Sequence, residues 1–159
     1  MGRSLAFNLI KWLIRLQFPS IKRMTTGELA QRLEAATPAP IILDARGQEE
    51  YAVSHLKDAQ RVPVEAPDLL ASALSNLAKD APIVVYCSVG YRSAKVAQQL
   101  ERAGFRQVFN LEGGLFEWAD QGRSMLKEGQ ATAQVHPYNA TWGKLLNDRH
   151  SNKDIEQPL

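Results

Sequence analysis

Apolar and polar positions alternate along this chain in two different periods, one typical of helices and one of strands. In the first segment, SLAFNLIKWLIRLQF, polar residues recur at spacings of four, three and four. On a helix they form one narrow stripe, made up of Ser4, Asn8, Lys11 and Arg15. The other side of that helix is a broad apolar face that includes Trp12 and Phe18. Residues 1–18 are therefore predicted to form an amphipathic N-terminal helix.

Beyond Pro19, short apolar runs alternate with segments of helical period. Strands are predicted at IKRM, IILDAR, AQRVP, APIVVY and RQVFNL. Helices are predicted between and after them at ELAQRLEAA, GQEEYAVSHL, APDLLASALSNLAKD, SAKVAQQLERAG and LFEWADQG. Thr25 and Glu28 have the spacing of a capping box, and the fully apolar APIVVY is typical of a central parallel strand. This alternation predicts an α/β fold in which helices cover a parallel sheet.

Composition and charge narrow the function without identifying it. The 159 residues suffice for one domain with extensions, and a net charge of +2 without a dense basic stripe argues against a nucleic-acid partner. The chain has one cysteine, Cys87, which excludes an intramolecular disulfide. Three widely spaced histidines form no metal-ligand pattern with it: His55, His136 and His150. We therefore expect no metal centre and no bound nucleic acid.

The N-terminal helix does not have the length of a membrane span. Its apolar stretch from Leu5 to Phe18 is shorter than the ~20 residues that cross a bilayer, and Lys11 and Arg15 interrupt it. The same cations argue against a secretory signal peptide. The sequence thus predicts a cytoplasmic protein whose first helix docks on its own domain or on a second copy. A homodimer contact and a peripheral membrane contact through residues 4–18 stay open.

Cys87 lies at the end of the most strongly β-like segment, in VVYCSVGYRS. Ligands of parallel sheets bind at the carboxyl ends of strands, and a helix is predicted to begin near Ser93. Every residue after the cysteine offers a backbone N–H, and Gly90 tolerates the positive φ of a tight loop. A loop curled around the sulfur would direct these donors and the positive helix end at it, favouring a thiolate nucleophile. The predicted binding loop comprises Ser88, Val89, Gly90, Tyr91, Arg92 and Ser93.

Three segments of the chain resemble the single-domain rhodanese-like sulfurtransferases. They are ILDARGQEEYAVSHLKDAQRVP, IVVYCSVGYRSAKVAQQLERAGF and VFNLEGGLFEWADQG. The resemblance runs from about Ile21 to Met125, and Asp58 stands where the family usually has glycine. It implies a three-layer fold with a central, mostly parallel five-stranded sheet flanked by helices. The corresponding domain is predicted at 19–127, followed by a partly packed extension at 128–159 that ends in a disordered segment from about Asn147.

The resemblance also implies a reaction for Cys87. Its thiolate attacks the outer sulfur of a donor such as thiosulfate, and a thiol or cyanide acceptor removes that sulfur from the resulting persulfide. No metal or organic cofactor is required, and Arg92 is expected to steer a small anionic donor. Asp44 and Arg46 match an acidic–x–Arg feature of the family, and we interpret them as a structural ion pair that supports the active face.

Two other functions remain open at this point. Cysteine phosphatases and arsenate reductases resemble Cys–x5–Arg, whereas only four residues separate Cys87 from Arg92 here. The smaller ring suits a single sulfur atom better than a phosphoryl group. A non-catalytic regulatory module with the same fold is the second alternative, and the retained cysteine argues against it.

Overall fold

The computed structural model describes residues 2–35 and 37–151. A five-stranded sheet lies at its centre, with strands β1 Lys22–Met24, β2 Ile41–Asp44, β3 Gln60–Arg61, β4 Ile83–Tyr86 and β5 Val108–Leu111. Their order in the sheet is β1–β5–β4–β2–β3, and every neighbouring pair is parallel. The predicted α/β fold with a five-stranded sheet is confirmed, and the sheet is parallel throughout.

Helices and one hairpin surround this sheet. The helices are α1 Arg3–Gln17, α2 Thr26–Glu34, α3 Gln48–Val53, α4 Pro67–Leu74, α5 Tyr91–Arg102, α6 Gly114–Asp120 and α7 Ala140–Gly143. The capping box of α2 forms as predicted, because Thr25 Oγ1 accepts from the Glu28 N–H at 3.1 Å and a Glu28 oxygen accepts from the Thr25 N–H at 2.8 Å. The hairpin consists of β6 Met125–Lys127 and β7 Gln130–Thr132.

Strand β4 divides the core into two apolar clusters. Val84 and Tyr86 belong to one cluster, whereas Val85 and Cys87 belong to the other, as expected when successive side chains point to opposite faces of a sheet. All four residues of β4 are buried. The strand that leads to the cysteine is therefore held by packing on both faces, and Cys87 lies where that strand ends.

The N-terminal helix packs on its own domain by one face only. Phe7, Ile14 and the following Phe18 are buried, and Lys11 and Arg15 form ion pairs with carboxylates of the domain. The opposite face of α1 is exposed. In the described residues 2–35 and 37–151, no helix is long and apolar enough to cross a membrane.

The C-terminal extension also contacts the domain. Val135, Leu145 and Leu146 join the same buried cluster as Val84, and the Asn147 N–H donates to Asp120 at 3.2 Å. Of the segment predicted to be disordered, residues 147–151 are thus part of the described structure, and residues 152–159 lie outside the described residues.

Candidate active site

Cys87 follows β4 directly and begins a short loop that ends at α5. The residue is 1% exposed. Gly90 closes the loop with φ +113°, a conformation that side chains rarely adopt, which explains the glycine at this position. Because Gly90 completes the turn, α5 begins at Tyr91, two positions before the start predicted from the sequence.

Two groups lie within hydrogen-bonding distance of the sulfur in the described part of the chain. The Gly90 N–H donates to Sγ at 3.1 Å, and Ser93 Oγ lies 3.3 Å from Sγ. Of the six loop amides that were predicted to converge, Gly90 is the one that bonds to the sulfur in the described residues. The sulfur is therefore held by one amide and one hydroxyl.

The Ser93 hydroxyl has a second acceptor besides the sulfur, Asn110 of β5. Asn110 Nδ2 donates to the Gly90 carbonyl at 2.9 Å, so its Oδ1 faces Ser93 as an acceptor at 2.6 Å. The hydroxyl has one proton, which it can donate either to Asn110 Oδ1 at 2.6 Å or to Cys87 Sγ at 3.3 Å. The sequence analysis did not identify Asn110, since no pattern near β5 indicates that its side chain contacts Ser93 and Gly90.

The first residues of α6 donate hydrogen bonds to the backbone of the Cys87 loop. The Leu115 N–H donates to the Cys87 carbonyl at 2.9 Å, and the Phe116 N–H donates to the Ser88 carbonyl at 3.0 Å. This close approach requires glycine at position 114, where φ is +59° and an added Cβ would lie 2.5 Å from the Cys87 carbonyl oxygen. The first amides of α6 therefore fix the orientation of the peptide units that carry the nucleophile.

Arg92 is paired with a carboxylate that the sequence analysis did not single out. Its Nη1 and Nη2 donate to the two oxygens of Glu50 on α3 at 2.8 and 2.7 Å, and Nη2 also donates to Ser88 Oγ at 2.9 Å. Ser88 in turn donates to Glu50 at 3.2 Å. The guanidinium was expected to be available to an anionic donor, but in the structure its charge is compensated by Glu50.

The pKa shifts of Glu50 and Arg92 both favour the charged forms. Burial opposes ionisation of Glu50, but the hydrogen bonds and charge of Arg92 outweigh it and lower the pKa of the carboxyl below its ordinary value. Burial likewise opposes the charge of Arg92, whereas bonding to Glu50 and the nearby Cys87 raise its pKa. Both groups are therefore ionised at neutral pH.

The C-terminal extension reaches the same cluster. Tyr138 lies with its ring centroid 4.3 Å from the Arg92 guanidinium carbon, a cation–π contact, and its backbone has φ +68°. The Tyr138 N–H donates to His136 Nδ1 at 2.9 Å. Burial lowers the pKa of His136, so the imidazole is a neutral acceptor at pH 7. The extension thus packs an aromatic ring against Arg92, the partner of Glu50.

The remaining loop residues connect the loop to its surroundings. Val89 is buried in the core. Tyr91 packs edge-on against Phe18 with ring centroids 5.8 Å apart, and Gln17 Nε2 lies 3.4 Å from its hydroxyl. Val89 and Tyr91 therefore anchor the loop, whereas Ser88, Gly90 and Ser93 make its polar contacts.

Asp44 and Arg46 form a buried ion pair at the end of β2. The guanidinium bonds to the Asp44 carboxylate at 2.7 and 3.0 Å and to the Ser54 carbonyl at 2.6 Å, and both side chains are fully buried. The Tyr86 hydroxyl donates to Asp44 at 2.5 Å. Burial and the Asp44 charge raise the pKa of Tyr86, which keeps it a donor. The pair therefore braces the end of β4 one residue before Cys87.

Replacing Glu50 with glutamine is expected to reduce the free energy of unfolding by about 2 kcal/mol at pH 7, because a charge-assisted bond to Arg92 becomes a weaker one. The pKa of Glu50 is lowered in the folded state, so this contribution is complete above the ordinary carboxyl pKa and is lost as the pH falls through the folded-state value.

Urea denaturation of both proteins across acidic to neutral pH tests this expectation. The difference in unfolding free energy between wild type and Glu50→Gln should become smaller as the pH falls below 4.5, the ordinary pKa of the carboxyl group. Glu65→Gln is the control, because Glu65 pairs with Arg61 at the exposed surface. A gap that is constant over the whole range would show that the Glu50 charge does not stabilise the fold.

More than half of the chain matches one known protein family. The sequence model of the rhodanese-like domain matches residues 25–121, and the chain belongs to the rhodanese-like family. A rhodanese-like domain protein from Staphylococcus aureus has a similar solved structure, with 32% identity and a TM-score of 0.58 over 68% of this chain and 99% of that one. The resemblance inferred from the three sequence segments is confirmed.

Curated relatives of this chain have two kinds of activity. A sulfurtransferase from Allochromatium vinosum is 32% identical over 102 residues, which cover 64% of this chain and 92% of the relative. A tRNA uridine(34) hydroxylase from Escherichia coli is 30% identical over 137 residues, which cover 82% of this chain. The match spans only 39% of the hydroxylase.

Proposed function

We propose that this protein is a sulfurtransferase that moves a sulfane sulfur from thiosulfate or a related donor to a thiol or cyanide through a persulfide on Cys87. The observation that carries the proposal is a single cysteine at a strand end whose sulfur accepts from the Gly90 amide and lies 3.3 Å from the Ser93 hydroxyl. The sulfurtransferase relative, which is matched over most of its length, supports the same chemistry.

In the first half-reaction, the Cys87 thiolate attacks the outer sulfur of thiosulfate. A bond forms between Sγ and that sulfur, the sulfur–sulfur bond of thiosulfate breaks, and sulfite leaves with the electron pair. The enzyme then carries a persulfide anion. The Gly90 N–H and the Ser93 hydroxyl lie 3.1 and 3.3 Å from Sγ, so they would stabilise the thiolate that attacks the donor.

In the second half-reaction, the acceptor attacks the outer sulfur of the persulfide. With cyanide, a carbon–sulfur bond forms, thiocyanate leaves, and the electron pair of the broken sulfur–sulfur bond returns to Cys87 as the thiolate. With a thiol, the sulfur passes to the acceptor thiolate in the same way. The chain has no second cysteine, so the acceptor must be external.

The site fits phosphoryl transfer less well. Four residues separate Cys87 from Arg92, and the arginine is bonded to Glu50 rather than free to bind a phosphoryl group. The observed pairing therefore favours sulfur transfer over the phosphatase and arsenate reductase alternatives.

Intact mass spectrometry tests the proposal. After incubation with thiosulfate, the protein is expected to gain the mass of one sulfur atom and to lose it on addition of cyanide, with thiocyanate as product. Cys87→Ser should show no gain. An inorganic polysulfide serves as a second donor, so that a weak reaction with thiosulfate alone does not decide the result.

The other outcomes are equally informative. Sulfur loading that persists in Cys87→Ser would contradict the assignment of the nucleophile. Hydrolysis of an aryl phosphate without sulfur loading would favour a phosphatase. Absence of both activities with these reagents would support the alternative of a non-catalytic rhodanese-type regulatory module.

A further inference from the structure

The outward face of α1 carries an apolar surface that the domain does not cover. We call it the outer stripe, and it consists of Leu5, Leu9, Trp12, Leu13 and Leu16, each 44–60% exposed. Their spacing places all of them on one side of the helix. Single exposed apolar residues are ordinary at protein surfaces, but a contiguous row of five marks a surface that contacts something else.

The helix cannot turn this stripe into the domain. Phe7 and Ile14 on the opposite face are buried in the core, and ion pairs to Glu117 and Glu112 hold Lys11 and Arg15 at 2.7 and 2.5 Å. Rotating α1 to cover the outer stripe would break these pairs and expose the buried residues. The stripe is therefore a fixed feature of the folded protein.

Charge beside the stripe is positive. The sequence of α1 contains no acidic residue. Arg3 and Arg15 are paired with domain carboxylates but have side chains that are 41% and 50% exposed. The carboxylates themselves, Asp120 and Glu112, are 20% and 12% exposed, since they lie beneath the helix. A surface that approaches α1 from outside meets guanidinium groups and apolar side chains.

A second copy of the chain matches this surface poorly. A stable protein–protein interface takes about 20–30 residues from each partner, whereas the outer stripe supplies five. Two facing copies of α1 would also bring arginines together with no acidic residue of either helix between them. An amphipathic helix binds a bilayer interface without complementary side chains and without a large contact area. Trp and Leu residues beside cations are typical of such helices.

We propose that the outer stripe docks this protein on the surface of a membrane that contains anionic lipids. The helix lies parallel to the bilayer, with the stripe among the acyl chains just below the headgroups and with Arg3 and Arg15 at the phosphates. This role is independent of the proposed sulfur transfer, and it does not require any segment to cross the bilayer.

Docking in this way would also place the Cys87 loop close to the membrane. The inner face of α1 contacts that loop through Ile14, whose Cδ1 would lie 3.7 Å from a Cβ added at Gly90, and Phe18 just after the helix packs on Tyr91. The helix is about 10 Å across, so the loop would lie roughly one helix diameter from the headgroups. The sulfur site would be held beside the bilayer.

Flotation with vesicles tests the proposal on the full chain. The protein is expected to float with vesicles of phosphatidylcholine and phosphatidylglycerol, less with phosphatidylcholine alone, and less at high salt. The triple variant Leu9→Gln, Trp12→Gln, Leu16→Gln should lose binding by at least about tenfold. Leu69→Gln is the matched control, since Leu69 on α4 is 62% exposed and lies outside the stripe.

A second measurement needs no disruptive variant. Brominated lipids should quench the fluorescence of Trp12, and the Trp12→Phe protein, which keeps the stripe apolar, should bind without that quenching. Failure of the wild-type protein to float, or equal loss of binding in Leu69→Gln, would overturn the proposal. A concentration-dependent dimer in lipid-free sedimentation that the triple variant abolishes would assign the stripe to a second copy instead. Sulfur loading should be unchanged in all of these variants, so the two proposals fail separately.

Discussion

Gly114→Ala is expected to lower the free energy of unfolding by more than about 3 kcal/mol, because a positive φ and a backbone collision act together. The added Cβ would lie 2.5 Å from the Cys87 carbonyl oxygen and 2.6 Å from that of Ser88. Neither is the end of a flexible side chain, so the loop itself has to move. In the folded fraction of this variant, the rate at which thiosulfate loads sulfur onto Cys87 should fall by about 100-fold, since small displacements of a nucleophile reduce rates by that much.

Gly122→Ala provides the matched control for this prediction. Gly122 also has a positive φ, +74°, but no atom lies within 4 Å of the position of its Cβ. Gly122→Ala should lower the free energy of unfolding by about 1–2 kcal/mol, through backbone conformation alone, and should leave sulfur loading unchanged. Chemical denaturation and intact mass spectrometry measure the two effects. If Gly114→Ala loses no more stability than Gly122→Ala, the contact between α6 and the Cys87 loop is not what requires the glycine.

Arg46→Met is expected to destabilise the fold by about 3–5 kcal/mol, the range found when one partner of a buried ion pair is removed. The substitution leaves the Asp44 carboxylate buried without its cation and frees the Ser54 carbonyl. Because Asp44 also accepts from the Tyr86 hydroxyl, the disturbance reaches the end of β4. The temperature and denaturant midpoints of unfolding report this loss.

Two comparisons separate the buried charge from other effects of this substitution. Arg61→Met removes a partly exposed pair with Glu65 and a long contact, 3.4 Å, to the Arg46 carbonyl, and it should cost at most about 1 kcal/mol. Adding Asp44→Asn to Arg46→Met removes the unpaired charge, so the double variant should be more stable than Arg46→Met alone. A double variant with the combined loss of both single changes would mean that the pair is not energetically coupled.

Much of the fold could be predicted because its signals are local. The capping box of α2 involves Thr25 and Glu28, three residues apart, and forms as expected. The β-branched run of β4 indicates a strand with both faces buried, which is where the structure places it. The start of α5 was misplaced by two residues, because the sequence does not show where the turn at Gly90 is completed.

The partners of the site residues were less predictable. Cys87, Gly90 and Arg92 stand out within a few residues of sequence, but Glu50 lies 42 positions before Arg92. The two meet because β2 pairs with β4 in a register that sets Asp44 opposite Tyr86, which brings the segments after both strands to one edge. No local pattern encodes that register, so the neutralisation of Arg92 was missed.

By itself, the sequence determined the alternation of strands and helices, the family, and the position of the single thiol at the end of a central strand, because each depends on residues close together along the chain. Tertiary structure decided which groups bond to that thiol's loop and which face of α1 is covered. The apolar face of α1 is broad and includes both the residues that pack on the domain and those of the outer stripe, so its periodicity does not distinguish the two. Only contacts between distant segments make that choice.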